Sequence, residues 1–319
     1  MRGKRRATVT AASALLGGAV ALLSVAPVSA DGRWGANYFP NVPLTTQDGA
    51  TVHFYDDLLK GKAVAINLIY TQCKDECPLE TARLVQVQRL LGDRVGKDIF
   101  FYSISIDPKR DTPEVLKAYA EKFHVGPGWL FLTGKEEDIK LVARKLGLSR
   151  RGDAADRDGH SAILMIGDEA AGQWMRNSAV DNPRFLAVTI KNFLGGWNDR
   201  NAGKSYAEAR PLLFDKGSYL FRTRCGACHT VGEGDGIGPD LLGVTTRRER
   251  AWLTRWLAAP DQMLAEQDPI ATELLARYKN VPMPNLRLGE GDVAALIEYM
   301  ETRSAVLQGA GGKGSQAVR

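Results

Sequence analysis

The sequence predicts an α/β domain followed by an all-α domain. Between about Tyr38 and Ile190, apolar runs typical of strands alternate with stretches that carry apolar residues at helical spacing. After a Gly-rich polar segment at 195–211, only helical patterns follow. A chain of 319 residues is long enough for two domains, and its 44% hydrophobic content supplies a core for each.

The first domain is predicted to be a mixed sheet with flanking helices. Continuous apolar runs predict buried strands at 62–70, 98–107 and 161–168. Helical spacing of apolar residues predicts helices at 78–93, 112–125, 136–148 and 185–197. Thr112 is a predicted N-cap with Pro113 in the first turn, so we interpret Asp107 and Asp111 nearby as turn formers and not as site residues.

The second domain is predicted to contain helices at 212–225, 248–260 and 289–303, joined by Gly- and Pro-rich loops. A Gly-rich tail follows them. These patterns divide the chain into a leader at 1–30, an α/β domain at 31–195, a linker at 196–210, a helical domain at 211–305 and a flexible tail at 306–319.

The first thirty residues have the layout of a secretory signal peptide. A basic start is followed by an uncharged stretch and by "VSA" before Asp31, which fits a cleavage site. An uncleaved membrane anchor is the alternative. We therefore expect a periplasmic protein, soluble after cleavage or anchored to the inner membrane. Without the four basic residues of the leader, 38 basic residues face 37 acidic ones, so the charge does not indicate nucleic-acid binding.

The four cysteines form two pairs, and the second pair lies in "CGACH", residues 225–229. This is the C-x-x-C-H pattern of covalent haem attachment, in which Cys225 and Cys228 bond the vinyl groups and His229 is an axial ligand of the iron. Zinc would need further ligands, and no other Cys or His follows His160. A disulfide would leave His229 unexplained.

Three further stretches make this domain resemble a class I cytochrome c. They are "GIGPDLLGV" at 236–244, "VPMPNL" at 281–286 and "LIEYMETR" at 296–303, and the resemblance covers about 212–303. It implies an all-α cytochrome c fold, haem c, and Met283 as the second axial ligand. Met263 and Met300 are the competing methionines, but both lie on helical patterns where methionine usually fills a core.

The first pair, Cys73 and Cys77, stands between a predicted strand and a predicted helix. The spacing is one residue longer than C-x-x-C, and disulfide, redox and metal roles all remain open. Pro78 suits a first helical turn, where the helix dipole is expected to lower the thiol pKa. Thiolates favour Cu(I), and one imidazole would complete a copper site. The candidate imidazoles are His53, His124 and His160.

Five segments in order make the first domain resemble the Sco family of copper chaperones over about 38–193. They are "NYFPNVPLTTQDG", "GKAVAINLIYTQCKDECP", "SISIDPKRDTPEVLKAY", "GWLFLTG" and "GHSAILMIGDEAAGQW". The resemblance implies a thioredoxin-like fold and a copper site made of Cys73, Cys77 and His160. It also implies delivery of copper to the binuclear copper site of cytochrome c oxidase. Many members have an acid directly before the histidine, whereas here Gly159 intervenes after Asp158.

These patterns together favour an exported copper metallochaperone fused to a haem domain for one-electron transfer. Its expected partners are the copper-site subunit of the oxidase and other periplasmic redox proteins. The alternative is an enzyme, a thiol-disulfide oxidoreductase in which Cys73 and Cys77 are catalytic and reduce cysteines of the oxidase copper site. A third interpretation is a plain electron-transfer protein whose first domain only docks partners.

Overall fold

The computed structural model describes residues 34–73, 76–148, 162–194 and 215–313. The predicted leader and linker lie outside this part of the chain. The first domain is built on one seven-stranded mixed sheet with the order β2-β1-β5-β4-β3-β6-β7. The strands are β1 (Pro43–Thr46), β2 (Thr51–His53), β3 (Ala63–Ile69), β4 (Ile99–Ser105), β5 (Trp129–Thr133), β6 (Ile163–Asp168) and β7 (Gln173–Ser178).

The centre of the sheet is parallel and its margins are antiparallel. Strand β4 pairs in parallel with β3 on one side and β5 on the other, whereas β1 and β6 join antiparallel. Strands β3 and β4 are almost entirely buried, as their continuous apolar runs predict. The helices of this domain are α1 (Glu76–Leu91), α2 (Pro113–Lys122), α3 (Glu136–Lys145) and α4 (Pro183–Leu194).

Helices cover both faces of the sheet because successive side chains of β3 point to opposite sides. Ala65 and Ile69 join a core that includes α1, α2 and α4. Val64 and Ile66 join a second core that includes α3 and the short π-helical segment at 54–59. This arrangement confirms the predicted thioredoxin-like α/β fold.

Two local features near the first cysteine pair follow from the sequence. Thr112 caps α2, since its hydroxyl accepts the Val115 amide, and Pro113 occupies the first turn as predicted. Helix α1 begins at Glu76, two residues before the predicted start, so Cys77 belongs to its first turn. The short strands β1, β2, β5 and β7 were not predicted; β7 is mostly polar and only half-buried, so it lacks a continuous apolar run.

The second domain contains helices only, which confirms the predicted all-α class. Its helices are α5 (Lys216–Leu220), extended by a π-helical turn at Phe221–Cys225, α6 (Val244–Arg247), α7 (Arg250–Ala258), α8 (Pro260–Ala265), α9 (Pro269–Arg277) and α10 (Glu290–Lys313). Nowhere in the described ranges is a helix both long enough and apolar enough to cross a membrane.

Helix α10 corrects the predicted tail. It continues to Lys313, so the segment after 305 that was predicted to be flexible is helical over much of its length. Leu307 explains the extension, because it packs against the core cluster that contains Phe221 and Leu296. Residues 314–319 lie outside the described part.

Helices α5 and α10 cross at close range. A Cβ atom on Gly217 would lie 2.2 Å from the carbonyl oxygen of Ala295 and 2.7 Å from Cβ of Tyr299. Only glycine therefore permits this approach. The crossing fixes the turn that leads directly into Cys225.

We expect Gly217→Val to destabilise the helical domain by about 1–3 kcal/mol, because the two helix backbones would have to separate. Urea unfolding followed by circular dichroism measures this. Gly309→Ala is the matched control, because it also replaces a helical glycine. A Cβ atom at this position would meet nothing within 4 Å. Equal unfolding midpoints for Gly217→Val and the control would contradict the close crossing.

Candidate metal centre and haem pocket

The haem-attachment segment lies at the end of the α5 turn. The backbone amides of Cys228 and His229 both donate to the carbonyl of Cys225 at 3.0 Å, which brings the three side chains together. Cys225 is buried and Cys228 is partly buried. Burial raises the pKa of each thiol to about 12, so both sulfurs are protonated at neutral pH.

His229 is held in one orientation. Its Nδ1 lies 2.9 Å from the carbonyl oxygen of Pro239, which accepts a hydrogen bond and leaves Nε2 available as a ligand. Burial lowers the pKa of His229, which favours the neutral imidazole that a metal requires. A Cβ on Gly238 would come within 2.5 Å of Cε1, so the loop can pack on the ring only at a glycine.

A cavity of about 360 Å³ opens beside these residues. Cys225, Cys228, His229 and Met283 line it, together with apolar side chains such as Leu253. A mostly apolar cavity with two thiols and an oriented imidazole at one wall fits haem c.

The three methionines are placed differently. Met283 lies in a loop between Pro282 and Pro284 and lines the cavity. Met300 also lines it but is 3% exposed within the core of α7 and α10. Met263 is fully buried in α8 and is not among the lining residues. Met283 as the second axial ligand stays a prediction, favoured by its loop position.

Cys73 and Cys77 lie together between β3 and α1. The Cys77 amide donates to Sγ of Cys73 at 3.4 Å, and both side chains are buried. The predicted lowering of thiol pKa by the helix dipole is wrong for Cys77. A hydrogen bond to Cys73 and burial raise the pKa of Cys77 well above its ordinary range. Cys73 Sγ accepts the Cys77 amide, so the two thiols of the pair are not equivalent.

The loop that carries Cys73 is held by a buried carboxylate. Asp111 is fully buried and accepts from the Thr71 hydroxyl at 2.6 Å, the Thr71 amide at 3.2 Å and the Ser105 hydroxyl at 2.5 Å. Its interpretation as a simple turn former was therefore incomplete. The sequence carries no signal for this contact, because Thr71 and Asp111 are 40 positions apart.

The predicted third ligand, His160, lies outside the described residues, as do Asp158 and Gly159. The other two candidate imidazoles are on the surface. His53 is the last residue of β2 and lies beside Asp57, and His124 follows α2 with φ of 56°. Within the described residues, no group of three His, Cys, Asp or Glu side chains forms a metal cluster. The copper ligand set of Cys73, Cys77 and His160 stays a prediction.

The two domains touch along the first three turns of α1. Pro78 and Leu79, which directly follow Cys77, line the cavity that holds Cys225 and His229. Ala227, Ile237 and Val281 of the helical domain pack against the core around α1. Helix α1, which carries Cys77 in its first turn, thus forms part of one wall of this cavity.

Two side chains of α1 donate hydrogen bonds across this contact. Nη1 of Arg83 donates to the carbonyl of Arg222 at 3.2 Å. Gln86 donates through Nε2 to the carbonyl of Gly226 at 2.5 Å. The sequence did not indicate these roles, because polar residues three apart on a helix usually face solvent.

Two protein-family models match this chain, one in each domain. The SCO1/SenC family model matches residues 35–194, half of the chain. The chain belongs to the SCO1/SenC family. A second match, to the Cytochrome c family model, covers residues 214–304, so this SCO1/SenC member carries a cytochrome c domain, which implies haem c.

Individual relatives cover one domain or the other. An SCO2-like protein of Rickettsia prowazekii is 34% identical over 134 residues, 40% of this chain and 63% of the relative. A copper-bound ScoI structure from Bradyrhizobium japonicum is 28% identical, covers 47% of this chain and 96% of its own, and has a TM-score of 0.39. The cytochrome c domain of the pp3183 protein from Pseudomonas putida is 56% identical over 29% of this chain and 91% of its own, with a TM-score of 0.28.

Asp240 stabilises the loop that leads to Pro239, whose carbonyl accepts the hydrogen bond from His229. It accepts from the amides of Gly232, Gly234 and Leu242 and from the hydroxyl of Thr230. Burial alone would raise the pKa of Asp240, but these hydrogen bonds outweigh it and lower the pKa to about 2.

We expect Asp111→Ala in this SCO1/SenC protein to cost about 2–3 kcal/mol of stability, because it leaves buried donors of Thr71 and Ser105 without an acceptor. It should also speed alkylation of Cys73 by freeing its loop. Asp48→Ala is the control, since that carboxylate forms an exposed ion pair with Lys117. Urea unfolding and mass spectrometry of alkylated protein measure both effects. Unchanged alkylation in a destabilised Asp111→Ala would refute the positioning role.

The lowered pKa of Asp240 predicts an acid-dependent loss of stability. The carboxylate stabilises the fold fully above its unfolded pKa near 4, and the contribution disappears as pH falls through about 2. Asp240→Asn should therefore be less stable than wild type at neutral pH, and the difference should shrink between about pH 4 and pH 2. Urea midpoints across this range measure it, with Glu273→Gln on the exposed side of α9 as control. A difference independent of pH would contradict the assignment.

Proposed function

We propose that this protein is an exported copper metallochaperone whose haem domain exchanges single electrons with the site at Cys73 and Cys77. Membership of the SCO1/SenC family supports the chaperone role. The adjacent sulfurs of Cys73 and Cys77 suit Cu(I), and His160 would add an imidazole that also accommodates Cu(II). Copper is the cargo of this site, and haem is the resident cofactor.

One observation carries the electron-transfer part of the proposal. Pro78 and Leu79 continue the chain directly from Cys77 and line the haem cavity beside Cys225 and His229. When bound, haem c supplies one-electron exchange. The short path from the cavity wall to Cys77 lets the electron pass within one chain, without a diffusing partner.

The proposed destination of the copper is the binuclear copper site of cytochrome c oxidase. The leader pattern at 1–30 supports a periplasmic location, either free or held at the inner membrane. An oxidising compartment converts Cu(I) to Cu(II) and thiols to disulfides. A haem able to return one electron to the copper would keep the cargo in the state that thiolates favour.

Thiol-disulfide exchange is the second candidate, and the cysteine geometry favours considering it. Cys77 is fully buried, and its backbone amide donates a hydrogen bond to Sγ of Cys73. The pair is therefore asymmetric, as an attacking thiol and its resolving partner would be. The substrate would be cysteines of the oxidase copper site. A disulfide needs two electrons and the haem carries one, so copper reduction is the simpler coupled step.

The direct test loads the full-length holoprotein with Cu(II), reduces the haem anaerobically and follows both chromophores. One electron should pass from each ferrous haem to one Cu(II), giving ferric haem and Cu(I). The Cu(II)–thiolate absorption should fade as ferric haem appears, at a rate independent of protein concentration. Cys73→Ser should abolish the coupled change. Absence of copper-dependent haem oxidation in the wild type would sink the electron-transfer proposal.

His160 separates copper binding from thiol exchange. We expect His160→Ala to weaken copper binding at least tenfold while leaving reduction of a test disulfide unchanged. His53→Ala, at the exposed end of β2, is the matched control. Copper titration and a thiol-exchange assay on both variants measure this. Copper affinity equal in the two variants would favour the oxidoreductase.

A further inference from the structure

Arg83 is the largest fully buried side chain of the described residues, and it lies at the contact between the two domains. Its Nη1 donates to the Arg222 carbonyl. Its Nε and Nη2 atoms are buried and have no hydrogen-bond partner among the described residues. No carboxylate in the described part of the chain forms a salt bridge with it. A buried cation held in this way needs an explanation, because burial without a partner is costly.

The surroundings of Arg83 belong to the haem-attachment segment. Arg83 and Gln86 lie one turn apart on α1 and hold the carbonyls of Arg222 and Gly226, which flank Cys225. These carbonyls belong to the end of the α5 turn, where carbonyl groups lack helical partners and the helix dipole is negative. A cation from the first domain therefore caps the helix that presents Cys225 and Cys228.

The charged groups near Arg83 come from both domains. Burial lowers the pKa of Arg83 and Arg224 lowers it further, whereas Asp181 raises it. The thiols of Cys225 and Cys228 are protonated, so they do not neutralise the guanidinium. Arg83 therefore remains a cation beside the segment through which haem would be attached, held there by its hydrogen bond to the Arg222 carbonyl.

We propose that Arg83 is a positioning residue that raises the reduction potential of the haem from the neighbouring domain. Oxidation of the iron adds one positive charge, and a fixed cation at the attachment edge disfavours that addition. Buried charge and solvent exclusion are the means by which a protein adjusts a haem potential. The first domain therefore sets the potential of the haem in the second domain through a single buried side chain.

The coupling must also act in the opposite direction. If docking of α1 favours the ferrous state, the ferrous state favours docking by the same factor. Oxidation of the haem would then loosen the contact at Arg222 and Gly226. This inference requires no copper, so it stands or falls separately from the proposed function.

The test is a redox titration of the copper-free, full-length holoprotein at neutral pH, followed by haem absorption. At the ambient potential where wild type is half reduced, Arg83→Gln should have about tenfold less ferrous haem relative to ferric, a shift of about 59 mV for one electron. Arg89→Gln is the matched control, because Arg89 lies exposed near the end of the same helix. It should titrate with the wild type.

Two more variants keep the test decisive. Arg83→Lys retains the charge and should stay closer to wild type than Arg83→Gln, whereas equal shifts would overturn the role of the charge. Gln86→Glu adds a negative charge opposite Gly226 and should further favour the ferric state. It applies even if Arg83→Gln fails to fold. A wild-type potential in Arg83→Gln, or in Gln86→Glu where the former does not fold, overturns the proposal.

Discussion

The position of the first three turns of α1 is the constraint on which both sites depend. Cys77 lies in the first turn, and the residues after it form part of the haem cavity wall. Arg83 and Gln86 fasten the second turn and the start of the third to the segment that carries Cys225. A shift of α1 would therefore move the thiol pair and the haem pocket together. Because the core that includes α1, α2 and α4 holds the helix on the sheet, its position is fixed by more than the domain contact.

Within this frame, burial outweighs the helix dipole at the first cysteine pair. A helix N-terminus stabilises a negative charge by about 0.3–1 kcal/mol at exposed positions. Full burial shifts a pKa by up to about 3–5 units, or about 4–7 kcal/mol. Cys77 is fully buried and its thiol is hydrogen-bonded to Cys73, and both effects raise its pKa, so its proton is retained. A soft metal ion that replaces the proton would supply the missing charge balance, which is why burial does not argue against copper.

Features that depend on residues close together in the sequence were predicted. Contacts between residues far apart in the sequence were not. The buried strands β3 and β4, the capped helix α2 and the attachment motif at 225–229 all follow from composition or spacing within short windows. Arg83 and Gln86 lie three apart in a helix that was predicted from its apolar residues alone, and their partners are about 140 positions away. Asp111 likewise reaches Thr71 across 40 positions. No periodicity reports such contacts. The extension of α10 depends on Leu307 packing against the second domain's own core, which the Gly-rich composition concealed.

The free energy of docking between the two domains is a small difference between favourable and unfavourable contributions. A single added charge can therefore change how tightly the domains dock. Apolar contacts of Ala227 and Ile237 favour docking, whereas desolvation of Arg83 opposes it. Two unit charges about 10 Å apart at an effective dielectric constant near 20 interact by about 1.7 kcal/mol. A change of this size is small against the stability of either domain, but it is comparable to the difference between the opposing terms of a modest contact. One electron at the haem can therefore shift how tightly the domain that carries Cys73 is held, while both folds stay intact.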